Sequence, residues 1–143
     1  MEKMYSTIFY ADDDVDDLEF FKDAISEINE TVTLFEEGTQ LIQRLLNPPP
    51  KASVIFLDLN MPVKSGFDIL REIKATPGAK NIPIVILTTS NNPDDVKLSK
   101  KLGANLYIKK PSTISALKKA IAHVLTIDWA NFIHSDTDFV YKQ

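Results

Sequence analysis

Apolar and polar positions alternate along this chain in two rhythms. Ile8, Phe9, Tyr10 and Ala11 form a short apolar run, then Val15, Leu18, Phe21, Ile25 and Ile28 recur at steps of three and four. The first rhythm predicts a buried strand and the second an amphipathic helix. The pair repeats. TVTLF (31–35) is β-rich, and Gly38 precedes a stripe of Leu41, Ile42, Leu45 and Leu46 that Asn47-Pro48-Pro49-Pro50 stops. VIFLDL (54–59) is apolar almost throughout, as in a central strand covered on both faces. A helix with Phe67, Leu70 and Ile73 inward follows and ends near Pro77-Gly78. Pro83 opens a buried strand over Ile84–Leu87. Asn92-Pro93-Asp94-Asp95 reads as a helix start, with a capping side chain, a tolerated proline and acids at the positive end. Gly103 closes that helix in the left-handed conformation. Leu106–Ile108 is a fifth strand, and Ile114, Leu117, Ile121 and Val124 mark the last helix.

Short connections between alternating strands and helices imply right-handed crossovers, with helices on both faces of one parallel sheet. The expected fold is α/β, a flavodoxin-like doubly wound five-stranded parallel sheet in the order 2-1-3-4-5, forming a single domain. Residues 1–125 account for it. Residues 126–143 are an extension whose Trp129, Phe132, Phe139 and Tyr141 are too many aromatics for a purely solvated tail. Packing on its own domain and a homodimer contact are both open for it.

The formal net charge of −4 argues against direct DNA binding, which needs a basic footprint. The chain has no cysteine, so thiolate metal sites and disulfides do not arise. No apolar run reaches the roughly 18 residues of a membrane span, and the start turns acidic too soon for a secretory signal. A cytoplasmic protein is expected.

The chemistry lies at the strand ends. In a parallel α/β sheet the carboxyl ends of the strands open on one crevice. The first strand runs into Asp12 and Asp13, the third into Asp58, the fourth into Thr88, and the fifth into Lys110 before Pro111. Clustered carboxylates repel, and a hard divalent cation relieves that repulsion. Mg2+, with Mn2+ as the alternative ion, takes oxygen ligands. Asp13 is expected to ligate directly and Asp12 directly or through water, with Asp58 and the Asn60 backbone carbonyl completing the protein's share. Asp58 can act as a nucleophile and become an aspartyl phosphate. The Thr88 hydroxyl suits a phosphate oxygen, although Thr89 and Ser90 adjoin it. Lys110 is the expected cation rather than Lys109, because strand alternation separates the two. Tyr107 falls on the opposite side of its strand from Lys110, toward the fourth helix. Asp14, Asp16 and Asp17 read as acids that favour the first helix's N-terminus.

With these residues in view, the chain resembles the receiver domain of two-component response regulators. The likeness covers roughly 5–125. It rests on the acids of YADDD, the aspartate of FLDLNMP followed by Ser65-Gly66, the threonine of ILTTS and the lysine of IKKP. Within the family it looks like the single-domain, chemotaxis-receiver-like group that serves hybrid or phytochrome-type histidine kinases. The resemblance implies Asp58 as phosphoacceptor, and Asp12, Asp13 and the Asn60 carbonyl as holders of Mg2+. It also implies Thr88 and Tyr107 as a switch pair, with Tyr107 turning inward as Thr88 moves, and Lys110 as a phosphate contact. A histidine kinase or phosphotransfer protein would donate the phosphoryl group. A downstream protein target would read the face of the fourth helix, fifth strand and fifth helix. Ser90 and Asn60 fall where the family tunes phosphate lifetime, and Thr89 is bulkier than is common there.

Other readings fit less well. A haloacid-dehalogenase-type phosphatase needs a second aspartate two residues after the nucleophile, where this chain has Asn60. A flavodoxin-type flavin site would face three repelling aspartates. A degenerate receiver would lack part of the residue set. His123 and His134 read as a solvated helix residue and a tail residue rather than relay histidines. The eighteen residues after Leu125 are too few for a winged helix, so the expected output is protein contact or onward phosphate transfer.

Overall fold

The computed structural model describes residues 6–48, 50–132 and 136–143, without the side chains of 6, 136 and 137. Pro49 and His134 lie outside the described residues. Five strands and five longer helices alternate: β1 Ser6–Ala11, α1 Val15–Ser26, β2 Val32–Phe35, α2 Gly38–Leu46, β3 Lys51–Leu57, α3 Gly66–Lys74, β4 Ile84–Thr88, α4 Pro93–Lys101, β5 Leu106–Lys109 and α5 Ile114–Thr126. A single turn, α6 Asp136–Phe139, follows. The sheet is parallel throughout, in the order β2-β1-β3-β4-β5. The predicted topology and strand order are the observed ones.

Strand alternation sorts the core into two layers. Phe9, Ala11, Ile55, Leu57, Ile84 and Ile86 meet Leu41 of α2 and Ile69, Leu70 and Ile73 of α3 on one face. Ile8, Tyr10, Val54, Phe56, Val85 and Leu87 meet Leu18, Phe21 and Ile25 of α1 and Leu117, Ile121 and Val124 of α5 on the other. β4 and the Val54–Leu57 half of β3 are buried throughout, which is why these stretches carry no polar alternation, whereas β3 begins with exposed Lys51 and Ser53.

Helix starts follow local chemistry. Asn92 accepts the Asp94 amide at 2.9 Å with Pro93 opening α4, and Ser65 and Asp68 form a reciprocal capping box on α3. Gly103 takes φ +104°, as predicted for a helix stop. Val15 and Leu46 depart from the expected stripes and are exposed. They are the first residue of α1 and the last of α2.

Candidate functional site

The strand ends are pinned by the sheet's own ladder. The Asp12 amide donates to the Phe35 carbonyl at 3.0 Å, the Asp58 amide to Ala11 at 3.1 Å and the Lys110 amide to Thr88 at 2.8 Å. Neighbouring parallel strands thereby bring side chains distant in sequence to one rim. Among the described residues, carboxylate oxygens of Asp12, Asp13 and Asp58 lie within 4.8 Å of one another. Asp12 and Asp58 are buried and Asp13 is exposed, so the group opens to solvent on one side. All-oxygen donors at this spacing fit a hard divalent cation. Asn60 is exposed at the same rim, and its amide faces Asp58 Oδ1 at 3.4 Å.

Lys110 reaches into this group. Its Nζ lies 2.8 Å from Asp12 Oδ2, 2.6 Å from Asp17 Oδ2 and 3.3 Å from Asp58 Oδ2. Lys109, its neighbour, is exposed and points away, toward Val96 and Lys97 of α4. Thr88 is fully buried at the end of β4, whereas Thr89 is exposed. Of the three hydroxylic residues in that stretch, Thr88 is therefore the one beside Asp58.

Burial holds the Asp58 carboxyl up at about 6, and the Asp12 charge adds to the shift. Lys110, the Thr88 hydroxyl and the Asn60 amide oppose it. For Lys110, burial works to lower the pKa, but the bonds to Asp12 and Asp17 and the Asp58 charge outweigh it and hold the ammonium above its ordinary range.

Two participants were not visible as such in the sequence. Tyr10 reads there as one more apolar strand residue, yet its hydroxyl donates to Asp12 Oδ2 at 2.5 Å. The available signal was its place two residues before the acid, since alternate strand residues share a face. Asp17 lies in the first turn of α1, as its sequence position suggests, and the structure adds a second role, as an ion-pair partner of Lys110. Only the packing of α1 beside the end of β5 reveals it. Asp14 does cap α1, accepting the Asp16 amide at 2.9 Å.

Glycine at position 66 is a steric requirement. A Cβ there would stand 2.2 Å from the Asp58 carbonyl oxygen and 2.6 Å from Leu59 Cα. The β3–α3 loop folds tightly over the backbone that carries Asp58, with the Gly66 amide bonded to the Leu59 carbonyl at 2.9 Å.

Tyr107 lies on the α4 side of β5, as strand alternation predicts. In this structure the Tyr107 ring is turned inward. Tyr107 is 2% exposed and donates its hydroxyl to the Ser90 carbonyl at 2.9 Å. Phe139 of the C-terminal segment packs beside the ring, with centroids 6.3 Å apart. His123 is an exposed α5 residue whose ring meets that of Tyr141 at a tilt, with centroids 5.2 Å apart.

Comparison with known proteins agrees with this fold. The model of the response regulator receiver domain matches residues 8–122, and the chain belongs to that family. Response regulator Rcp1 of Synechocystis sp. (strain PCC 6803) is 46% identical over 72 residues, half of this chain and 49% of that protein. Chemotaxis protein CheY1 of Helicobacter pylori (strain J99) is 32% identical over 105 residues, 73% of this chain and 84% of that protein. A probable cyclic di-GMP phosphodiesterase of Vibrio cholerae is 30% identical over 115 residues, but these make up only 25% of it. The chain thus spans half or less of the length of two of these curated relatives. Among solved structures, the Mn(2+)-bound form of Rcp1 superposes with a TM-score of 0.74 at 29% identity, covering 90% of this chain and 96% of that one. The phosphorylated cyanobacterial phytochrome response regulator RcpA gives 0.75 at 29% identity with the same coverage.

Proposed function

We propose that this chain is a response regulator receiver that accepts a phosphoryl group on Asp58. The observation that carries the reading is the meeting of Asp12, Asp13 and Asp58 within 4.8 Å, with Lys110 Nζ 3.3 Å from Asp58. The donor is a phosphohistidine on a histidine kinase or a phosphotransfer protein. An ionised Asp58 oxygen attacks phosphorus, the P–N bond breaks, and the imidazole leaves with the bonding pair and keeps its other ring proton. Lys110 and the Thr88 hydroxyl receive the phosphoryl oxygens, and the buried Asp12 keeps Lys110 in place. Asp12, Asp13 and Asp58 with the Asn60 carbonyl would hold Mg2+ or Mn2+, which supplies charge neutralisation for the phosphoryl oxygens.

The added charge of roughly −1.5 to −2 gives the site a reason to rearrange. Thr88 and Tyr107 couple it to the surface of α4, β5 and α5, where a downstream protein partner binds. Residues 1–125 carry this chemistry, and 126–143 are an extension of the same unit. No helix among the described residues is long and apolar enough to cross a membrane. The protein acts in the cytoplasm, through protein contacts, as a phosphate-bearing signal rather than an enzyme.

Incubation with acetyl phosphate and Mg2+, or with a phosphorylated kinase, tests the assignment. Wild type acquires acid-labile, hydroxylamine-sensitive phosphate and Asp58→Asn acquires none. Equal labelling of both removes Asp58 from the reaction.

A further inference from the structure

β5 ends the sheet, so one row of its backbone groups lacks a neighbouring long strand. The end of the chain lies along that row. Val140 forms a parallel bridge with Tyr107, the Tyr141 amide donates to the Tyr107 carbonyl at 2.8 Å, and Gln143 Nε2 donates to the Lys109 carbonyl at 2.8 Å. Phe139 is 1% exposed and belongs to the core layer that holds Tyr107. Phe139 and Val140 also line one groove with Val96 of α4, while Tyr141 lies 5.2 Å from the His123 ring on α5. The segment therefore bridges the two helices that flank β5.

This docking meets the phosphate site through Tyr107. Its ring touches Phe139 and its backbone bonds Tyr141, while its hydroxyl holds the carbonyl of Ser90. Ser90 in turn lies two residues after Thr88, with its amide 3.5 Å from the Thr88 hydroxyl. With the Thr88 hydroxyl bonded to the Asp58 carboxylate, contacts run from residue 141 to Asp58.

We propose that residues 138–143 act as an intramolecular strand that holds Tyr107 in its buried position, and that their docking and phosphorylation of Asp58 strengthen one another. The inference rests on the proposed function and adds a regulator to it. A ligand shifts a two-state equilibrium only by binding one state better, and Phe139 meets the Tyr107 ring when that ring is inward. Coupling of this kind is reciprocal, so an occupied Asp58 tightens the tail as much as the tail favours occupation of Asp58. A partner reading the α4–β5–α5 face then meets the tail as part of that face.

The test uses the full chain with beryllofluoride and Mg2+ as the phosphoryl probe. Hydrogen exchange of the Tyr141 amide is expected to slow at least fivefold when the probe binds. Phe139→Ala and Tyr141→Pro are each expected to weaken probe binding about five- to tenfold. Tyr141→Pro removes one amide donor at a half-buried position, so it keeps the test open if Phe139→Ala fails to fold. Unchanged exchange together with unchanged affinity in the folded variants overturns the coupling alone. Wild type that binds no probe overturns the phosphoacceptor reading and the coupling with it. A dimer whose formation needs residues 138–143 overturns the intramolecular placement.

Discussion

The Tyr10 hydroxyl donates to Asp12 Oδ2 at 2.5 Å, the same oxygen that receives Lys110 Nζ at 2.8 Å. A buried carboxylate is thus served by a neutral donor from its own strand and a cation from β5. Burial and the Asp12 charge keep the Tyr10 phenol far above its ordinary pKa, so the donated proton stays on tyrosine. Tyr10→Phe leaves the ring packed between β1 and α1 and removes only the donor. It should cost about 1–3 kcal/mol of stability in chelator, read from urea unfolding. It should also weaken Mg2+ or Mn2+ binding in a calorimetric titration, because groups behind a metal ligand orient it.

Asp58 gives a pH prediction with a definite sign. Its carboxyl is held at about 6 in the fold against an ordinary 3.8. Between these values the folded protein binds more protons than the unfolded chain, so this group makes stability fall as pH rises through the window. Two pKa units correspond to about 3 kcal/mol as an upper bound. Asp58→Asn should therefore stabilise the metal-free protein at pH 7.5 and gain little at pH 4, by urea midpoints in chelator. A mutant equally stabilised at both pH values would contradict the buried-charge account.

Gly66→Ala should disturb the site without touching a polar side chain. The new Cβ would collide with the Asp58 carbonyl oxygen at 2.2 Å, so the backbone carrying Asp58 must shift. A loss of about 1–3 kcal/mol is expected by analogy with overpacked cores. Phosphorylation by acetyl phosphate should slow with it. An unchanged rate would mean that Asp58 tolerates the displacement.

Val63 occupies φ +67° in the β3–α3 loop and is fully exposed, with the Lys64 amide bonded to the Pro62 carbonyl at 2.7 Å. A β-branched residue is strained there, and no burial offsets the strain. Val63→Gly removes the clash at the position glycine tolerates best. A gain of up to about 1 kcal/mol is expected by thermal or urea unfolding, reduced by glycine's greater freedom in the unfolded chain.

Deleting residues 126–143 should lower the melting temperature by several degrees. Phe139 and the half-buried Trp129, Phe132 and Tyr141 all pack against the two core layers. Burial of one large aromatic contributes roughly 1.5–3 kcal/mol. Solution mass alongside the melting curve separates packing on the chain's own domain from a dimer contact. A deletion that moved neither would assign the aromatics no packing role.

Much of this protein was legible in its sequence because the signals are local. Short apolar runs without polar alternation, bounded by turn residues and alternating with helical stripes, fit strands covered on both faces, so Val54–Leu57 and β4 pointed to a doubly wound sheet. Strand-end chemistry then placed Asp12, Asp58, Thr88 and Lys110 on one rim, and period-two alternation chose Lys110 over Lys109. What the sequence left open depends on which elements become neighbours. Asp17 looks like any acid in a first helical turn until α1 packs beside the end of β5. Tyr10 looks like any core residue until its hydroxyl meets a buried carboxylate. Tyr107 and Phe139 stand 32 residues apart. No periodicity links them, because the tail binds an open sheet edge through backbone hydrogen bonds that any sequence can form. Only the tertiary structure decides where such a segment lands.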